Sequence, residues 1–404
     1  MMTGNRIRPE RRRTGVRATV VGATALVTLL TAGCGGSSGS SNASSGGATA
    51  GAAASTSPGA DPLAAAKADV ASFTNAVTQY PAIPPLAGVK ALKGKTVWYV
   101  PIGSVPIVTA FGVGITAALN EAGIQTHICD GKFVPTSMAT CLNEAATQGA
   151  AGVIGGYIDY ELVRSAYDNL VAHHVPVLIA GEAPSGGKTS SSQLAFYDET
   201  KLGNRAQQLD MEAVMADSSG KAKILYVGVT DSATTRANAA AAKSFIQANC
   251  PGCSFTEIDY NTSGLTKVPS QVSAALISNP TTTYVVNELD SGSPATISGI
   301  QSAGFINKVK LASASGNLDA LQRVQTGALQ VVDIGLSPYF SGWRYADGIL
   351  RMLVGQAPVV VDGVLRVFNK DNVSGLTLTP DAYDTNTWYG PDTYKQTFMS
   401  AWGL

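Results

Sequence analysis

The sequence predicts an α/β fold made of two parallel-sheet halves, and three observations predict it. Short β-branched and aromatic runs alternate with segments whose apolar residues recur at helical spacing, which is the pattern of βαβ units. Strand starts fall roughly 25–30 residues apart, as the βαβ unit requires. The rhythm stops near residue 194, passes through one long helical stretch, and restarts near residue 224, so the two halves are architectural copies.

The elements follow in order. Residues 63–80 read as a short helical stretch, and Pro81, Pro84 and Pro85 as a joint. Residues 96–100 are the first strand, ended by Pro101 and Gly103. Ile107, Phe111, Ile115, Ala118, Leu119 and Ala122 then lie at helical spacing, and Gly123 closes that helix. Residues 125–129 are the next strand and 137–148 a helix with Met138, Leu142 and Ala145 inward. A strand at 153–155, a helix carrying Leu162, Val163, Ala166 and Leu170, and a strand at 175–180 complete the first half. Residues 194–220 carry the long helix. The second half has strands at 224–229, 255–258, 283–286, 309–312 and 330–334, with helices around 237–248, 269–278, 295–303 and 318–325 between them. Each half has a crevice at the carboxyl ends of its strands, where ligands of such sheets bind.

Composition sets limits. The chain has 404 residues, enough for two domain cores, and a net charge of zero, which argues against a nucleic-acid partner. Charged residues make up 14%, against roughly a quarter in an average soluble protein. No apolar run reaches the roughly 18 residues of a membrane span. The zero is uneven: the first 33 residues hold six arginines and one acid, Glu10, leaving 22 basic against 27 acidic residues and a net charge of −5.

Residues 1–33 read as a secretory signal, with a basic segment from Arg6 to Arg17 and a short apolar one at 18–30. Thr31-Ala32-Gly33-Cys34 resembles the lipobox of bacterial lipoproteins, although Thr31 stands where Leu is usual. That resemblance implies lipidation of Cys34 and an extracytoplasmic, membrane-anchored protein. Residues 34–62 are a flexible tether: from 35 to 60, 22 of 26 residues are Gly, Ala or Ser, too little apolar surface to offset chain entropy.

Four further cysteines suit an exported chain. Their spacings favour disulfides Cys129–Cys141 and Cys250–Cys253, the latter across the turn residues Pro251 and Gly252. A redox role for that Cys-x-x-Cys is the alternative, and it lacks a thioredoxin-like setting. No metal or cofactor is expected, because His127, His173 and His174 lack ligand spacing to the cysteines. Residues 63–404 carry no Gly-x-Ser-x-Gly elbow, phosphate loop or His-Glu-x-x-His, so the reading is not an enzyme.

The run from Lys95 to Gly355 resembles the type I periplasmic binding proteins of the ribose-like, sugar-binding class. The resemblance is carried by Gly94-Lys95, by Ala122-Gly123, and by the approach to the third strand from Gln148 to Gly155. His174-Val175-Pro176-Val177, Asp198 with Gly203, and Gly220-Lys221-Ala222-Lys223-Ile224 with Arg236 continue it. Ala303-Gly304, Gly327-Ala328-Leu329 and the tail at 398–403 also match. The resemblance implies two Rossmann-like domains joined by a hinge crossed three times, near Tyr197, near Gly335 and within 361–368. Residues 63–94 are then a lead-in, residues 95–198 with 336–360 one ligand-binding domain, and residues 199–335 with 361–404 the other.

It further implies a monomer that closes over a small sugar-like or polyol ligand and hands it to an ABC permease. A sensor of the same fold signalling to a membrane kinase is the alternative. Candidate ligand contacts sit just after strands: Ser104, Tyr157, Asp159 and Glu182 in the first half, and Asp231, Arg236, Asn287, Asp290, Asn317 and Tyr339 in the second. Arg236 matches the family's hydroxyl-binding arginine. Three departures make ribose itself doubtful: Asp159-Tyr160 in place of Asp-Arg, Ser315-Gly316 in place of Asp-Gly, and Pro106-Ile107 where an aromatic pair is expected.

Overall fold

The computed structural model describes residues 61–404; the signal segment, Cys34 and the tether up to residue 60 lie outside the described residues. Helix α1 (Pro62–Ser72) is capped by the Asp61 carboxylate, which accepts from Leu63 N. The first sheet comprises β1 (Thr96–Pro101), β2 (Gln125–Ile128), β3 (Gly152–Gly156), β4 (Val177–Ala180) and β5 (Leu194–Tyr197), all parallel in the order β2-β1-β3-β4-β5. Helices α2 (Pro106–Glu121), α3 (Pro135–Thr147) and α4 (Arg164–Ala172) connect them. After β5 the chain leaves this sheet and forms α5 (Thr200–Asp217).

The second sheet holds β6 (Lys223–Val229), β7 (Ser254–Tyr260), β8 (Tyr284–Asn287), β9 (Lys310–Ser315) and β10 (Gln330–Leu336). They are linked by α6 (Ala233–Asn249), α7 (Val268–Ser278), α8 (Ser293–Ser302) and α9 (Leu318–Thr326). Helix α10 (Pro338–Leu353) returns to the first lobe, and β11 (Leu365–Asn369) comes back to pair antiparallel with β10, completing the order β11-β10-β9-β8-β6-β7. The chain therefore passes between lobes at Tyr197–Thr200, Leu336–Pro338 and Leu353–Leu365. Short helices α11 (Lys370–Val373) and α12 (Pro380–Tyr383) and a final helix, α13 (Thr393–Trp402), follow.

Strands β1, β3, β4 and β5 are buried almost end to end, as expected where helices cover both faces of a parallel sheet. Helix α10 lies in the core, buried from Pro338 to Met352. It packs against α2 through two glycines. A Cβ on Gly342 would lie 2.6 Å from Phe111 O, and one on Gly114 2.7 Å from Tyr339 O, so only glycine allows this backbone contact.

The structure redraws three expectations. The segment 194–220 carries its long helix as α5, but it opens with an unexpected strand, β5, at the edge of the first sheet. The lead-in 63–94 is not a separate unit. Its helix α1 lies on α5, where Arg205 pairs with Asp69 at 2.6 Å, while Val89 and Leu92 are buried in the first lobe's core. Residues 361–404 do not all belong to the second domain. Helix α13 packs on α10, with Trp402 stacked on Trp343 at 5.6 Å and its Nε1 donating to Asp347 at 2.8 Å. The physical reason is the demand of α10 for apolar cover on its outer side. Both expected cysteine pairs, Cys129–Cys141 and Cys250–Cys253, are bonded.

Candidate functional site

Between the lobes, at the carboxyl ends of both sheets, lies a cleft with a cavity of about 370 Å³. The first lobe lines it with residues following β1, β3 and β4 and with the first turns of α2. The second lobe contributes the ends of β6, β9 and β10 and the starts of α5 and α6. The lobes touch across it: the Ala183 N–H donates to Thr234 Oγ1 at 3.1 Å. A second cavity, of about 410 Å³, lies at the opposite end of the second sheet, beside Gln330, Val331 and Lys370, and includes none of the predicted site residues.

Tyr157 forms one wall. Its backbone sits at φ 60°, an uncommon value for a side-chain-bearing residue, and its ring stacks on Phe111 at 5.4 Å. Its hydroxyl donates to Glu199 at 3.1 Å and lies 3.0 Å from the Tyr345 hydroxyl. Tyr345 also donates to Glu199 at 2.5 Å, and the Arg344 guanidinium pairs with that carboxylate at 2.6 Å. The Glu199 charge is thus neutralised and hydrogen-bonded inside the protein, as a buried carboxylate must be. Burial pushes the Tyr157 hydroxyl far above its ordinary pKa, reinforced by Glu199, so it stays a neutral donor.

Glu182, after β4, is the least compensated group. It is 3% exposed, and its Oε2 has no hydrogen-bond partner. Burial raises its pKa to about 8; Ser232 and Thr234 of the other lobe oppose the shift, Asp159 adds to it, and Arg236 opposes it. At neutral pH the carboxyl therefore mostly keeps its proton. Asp159 caps the turn after β3, accepting from Glu161 N at 2.8 Å and from Ser185 Oγ at 3.0 Å. Asp231 is held by Thr262, whose N–H donates at 2.9 Å and whose hydroxyl donates at 2.7 Å.

Of the ten predicted ligand residues, Tyr157, Asp159, Glu182 and Asp231 are brought together around the cavity. Ser104 is exposed and donates to Asp130 at 2.9 Å. Arg236 is exposed too: its guanidinium donates to Thr230 O at 2.9 Å and stands outside the cavity wall. Asn287, Asp290 and Asn317 are buried behind the wall in their own lobe. Thr296 donates to Asn287 Oδ1 at 2.7 Å, and Asn317 N donates to Asp290 at 2.8 Å. Asp290 and Asp333 meet Ser313 in the same network, and burial raises both carboxyls above the usual carboxylate range. Tyr339 donates to Asp384 at 3.3 Å, also away from the cavity.

Sequence reasoning missed the helix-borne part of the wall. Gln207 on α5 accepts from Tyr226 Oη at 2.8 Å and donates to Glu288 O at 3.0 Å. Asn238 on α6 donates weakly to Glu288, and its Oδ1 is buried without a partner. A Cβ on Gly203 would lie 2.4 Å from that oxygen, so Gly203 lets α5 and α6 close on each other here. The nearest signal in the sequence was the pairing of Asp198 with Gly203, one residue before Glu199. The rest of the wall is mainly apolar, built from residues such as Val108, Phe111, Phe133, Leu202, Val229 and Leu289, with Ser and Thr side chains between them, among them Thr234, Ser291 and Ser315. Among the described residues, no Lys, Arg or His lines it.

No family model and no curated protein matches the sequence. Solved structures do. A glucose-galactose binding protein from Geobacillus stearothermophilus is similar with a TM-score of 0.61 at 15% identity, over 70% of this chain and 99% of that one. An ABC transporter solute-binding protein from Burkholderia graminis, in complex with D-arabinose, is similar with a TM-score of 0.60 at 18% identity, over 70% and 98%. A carbohydrate transporter from Acidothermus cellulolyticus, in complex with myo-inositol, is similar with a TM-score of 0.57 at 18% identity, over 72% and 99%. Two parallel-sheet lobes, three crossings and a cleft at the strand ends, matched by those neighbours over almost their whole length, give this chain the fold of the type I periplasmic binding proteins.

Proposed function

We propose that the protein is an extracytoplasmic receptor that closes over one small solute and delivers it to an ABC permease. The observation that carries the reading is the cleft, walled by both lobes at the strand ends and bridged by three chain crossings. Contacts offered by two lobes are complete only when the lobes close, so a solute that bridges them shifts the open–closed population. The Ala183–Thr234 hydrogen bond is a contact between the two lobes of the kind that closure supplies. The signal-like N-terminus and Cys34 support a lipid-anchored position at the outer face of the membrane, with the tether holding the receptor near its permease. The receptor acts as a monomer, without cofactor or metal. Sugars and polyols are the solutes held by the structural neighbours and are the first class to test.

A thermal-shift screen across pentoses, hexoses, polyols, glycosides and amphipathic alcohols tests this. A solute at a hundredfold excess over its Kd stabilises the folded state by about 2.7 kcal/mol. One class should raise the melting temperature; a flat response across the whole panel overturns the receptor reading.

A further inference from the structure

The chemistry of the cleft wall narrows the solute, on the premise that the cleft is the receptor site. A free sugar presents several hydroxyls, each a donor and an acceptor, and each needs a partner once water is excluded. The cleft has few to give. The Tyr157 hydroxyl and Glu199 are engaged with each other and with Tyr345 and Arg344. Both ends of the Gln207 amide are spent within the second lobe, and Asp231 is held by Thr262. Among the described residues, the buried polar atoms of the wall without a hydrogen-bond partner are Glu199 Oε1, which pairs with Arg344 at 2.6 Å, and Glu182 Oε2 and Asn238 Oδ1, which have no such ion. The last two belong together: Glu182 faces Thr234, and Asn238 is one helical turn beyond Thr234 on the same face of α6. Elsewhere the wall is mainly aliphatic and aromatic; its other polar residues include Asp159 and Thr235, each engaged within its own lobe, and Ser291 and Ser315, too few to pair every hydroxyl of a free sugar. Among the described residues no cationic side chain lines the cleft, which removes the usual partner of a carboxylate or phosphate.

We infer that the cleft takes an uncharged amphipathic solute, with one or two hydrogen-bond-donating groups at one end, met by Glu182 and Asn238, and a larger apolar body held between the lobes. A free pentose, hexose or inositol does not meet that description; a glycoside or alcohol with a bulky apolar part does. Closure over such a solute gains its free energy from apolar area removed from water on both lobes at once.

The test uses N-phenyl-1-naphthylamine, a neutral apolar probe with a single N–H donor whose fluorescence rises on leaving water. The expected result is saturable binding of one probe per chain. It weakens at least tenfold when a charge is placed in the cleft by Ala206→Lys on α5 and, independently, by Val105→Lys at the start of α2. D-Glucose, D-arabinose and myo-inositol at millimolar concentration leave the probe in place. Circular dichroism and melting curves of both variants separate a blocked cleft from a lost fold. Absent or non-saturating probe binding, or binding indifferent to both variants, together with a melting shift from one of the three free polyols, overturns the inference and leaves the receptor reading standing. If neither the probe nor any solute of the panel binds, both readings fall.

Discussion

Glu182→Gln probes the least compensated group in the cleft. The unfolded chain titrates this carboxyl near 4.5 and the folded protein near 8, the rise coming first from burial. Between those values the folded state keeps a proton that the unfolded state has released, so stability falls as pH rises through this window. Below pH 4.5 both states are protonated and the group contributes no slope; above pH 8 the loss is complete. A rise from 4.5 to about 8 corresponds to about 5 kcal/mol at the upper limit. Gln keeps the shape and has no proton to lose. The groups facing Glu182 are Ser232 and Thr234 from the second lobe, Asp159 from the first, and the more distant Arg236. Glu288, which burial also raises to about 8, is present in both proteins and cancels in the comparison. Urea unfolding of wild type and variant at pH 5, 7 and 9 measures the difference. The variant should gain on wild type with each step upward. Because the burial comes from both lobes, part of the wild-type loss should appear as opening, seen as a larger radius of gyration at pH 9 in wild type alone. Parallel pH profiles for the two proteins would refute the reasoning.

Three further outcomes are expected. Gly342→Ala places a Cβ 2.6 Å from Phe111 O and 2.7 Å from the Gly114 backbone, and forces α2 and α10 apart. It should cost about 1–3 kcal/mol, whereas Gly375→Ala, with no atom within 4 Å, should be close to neutral by the same denaturation assay. Removing the Cys129–Cys141 bond, which closes a loop with a sequence separation of 12, should cost about 3 kcal/mol. It should also weaken probe binding, because that loop carries Phe133 of the cleft wall. Cys34→Ala should move the protein from the membrane fraction into the medium; unchanged membrane association rejects the lipid anchor.

The central strands β1, β3 and β4 were legible because they are short apolar runs bounded by Gly and Pro and buried on both faces. Strand β5 was not, because four residues running directly into Asp198 and a helix carry too little pattern of their own. Within the site, the rule that ligands meet strand ends led to Tyr157, Asp159, Glu182 and Asp231, which line the cavity. It led equally to Asn287, Asp290 and Asn317, which stand behind the wall, since a polar residue after a strand can tie its own lobe together. Arg236 stands outside the wall for a helical reason. Thr234 and Asn238 lie one turn apart facing the cleft, and Arg236, midway between them, turns outward. The apolar wall was illegible because a Val or Leu that lines a cavity has the same sequence signature as one that fills a core. Only the arrangement of the two lobes distinguishes them.

The most direct measurement is the density in the cleft of crystals grown with N-phenyl-1-naphthylamine. The account predicts one molecule touching both lobes, its rings against the walls carrying Phe111 and Val229 and its nitrogen within about 3 Å of Glu182 or Asn238. A probe bound to one lobe only, or outside the cleft, would contradict it.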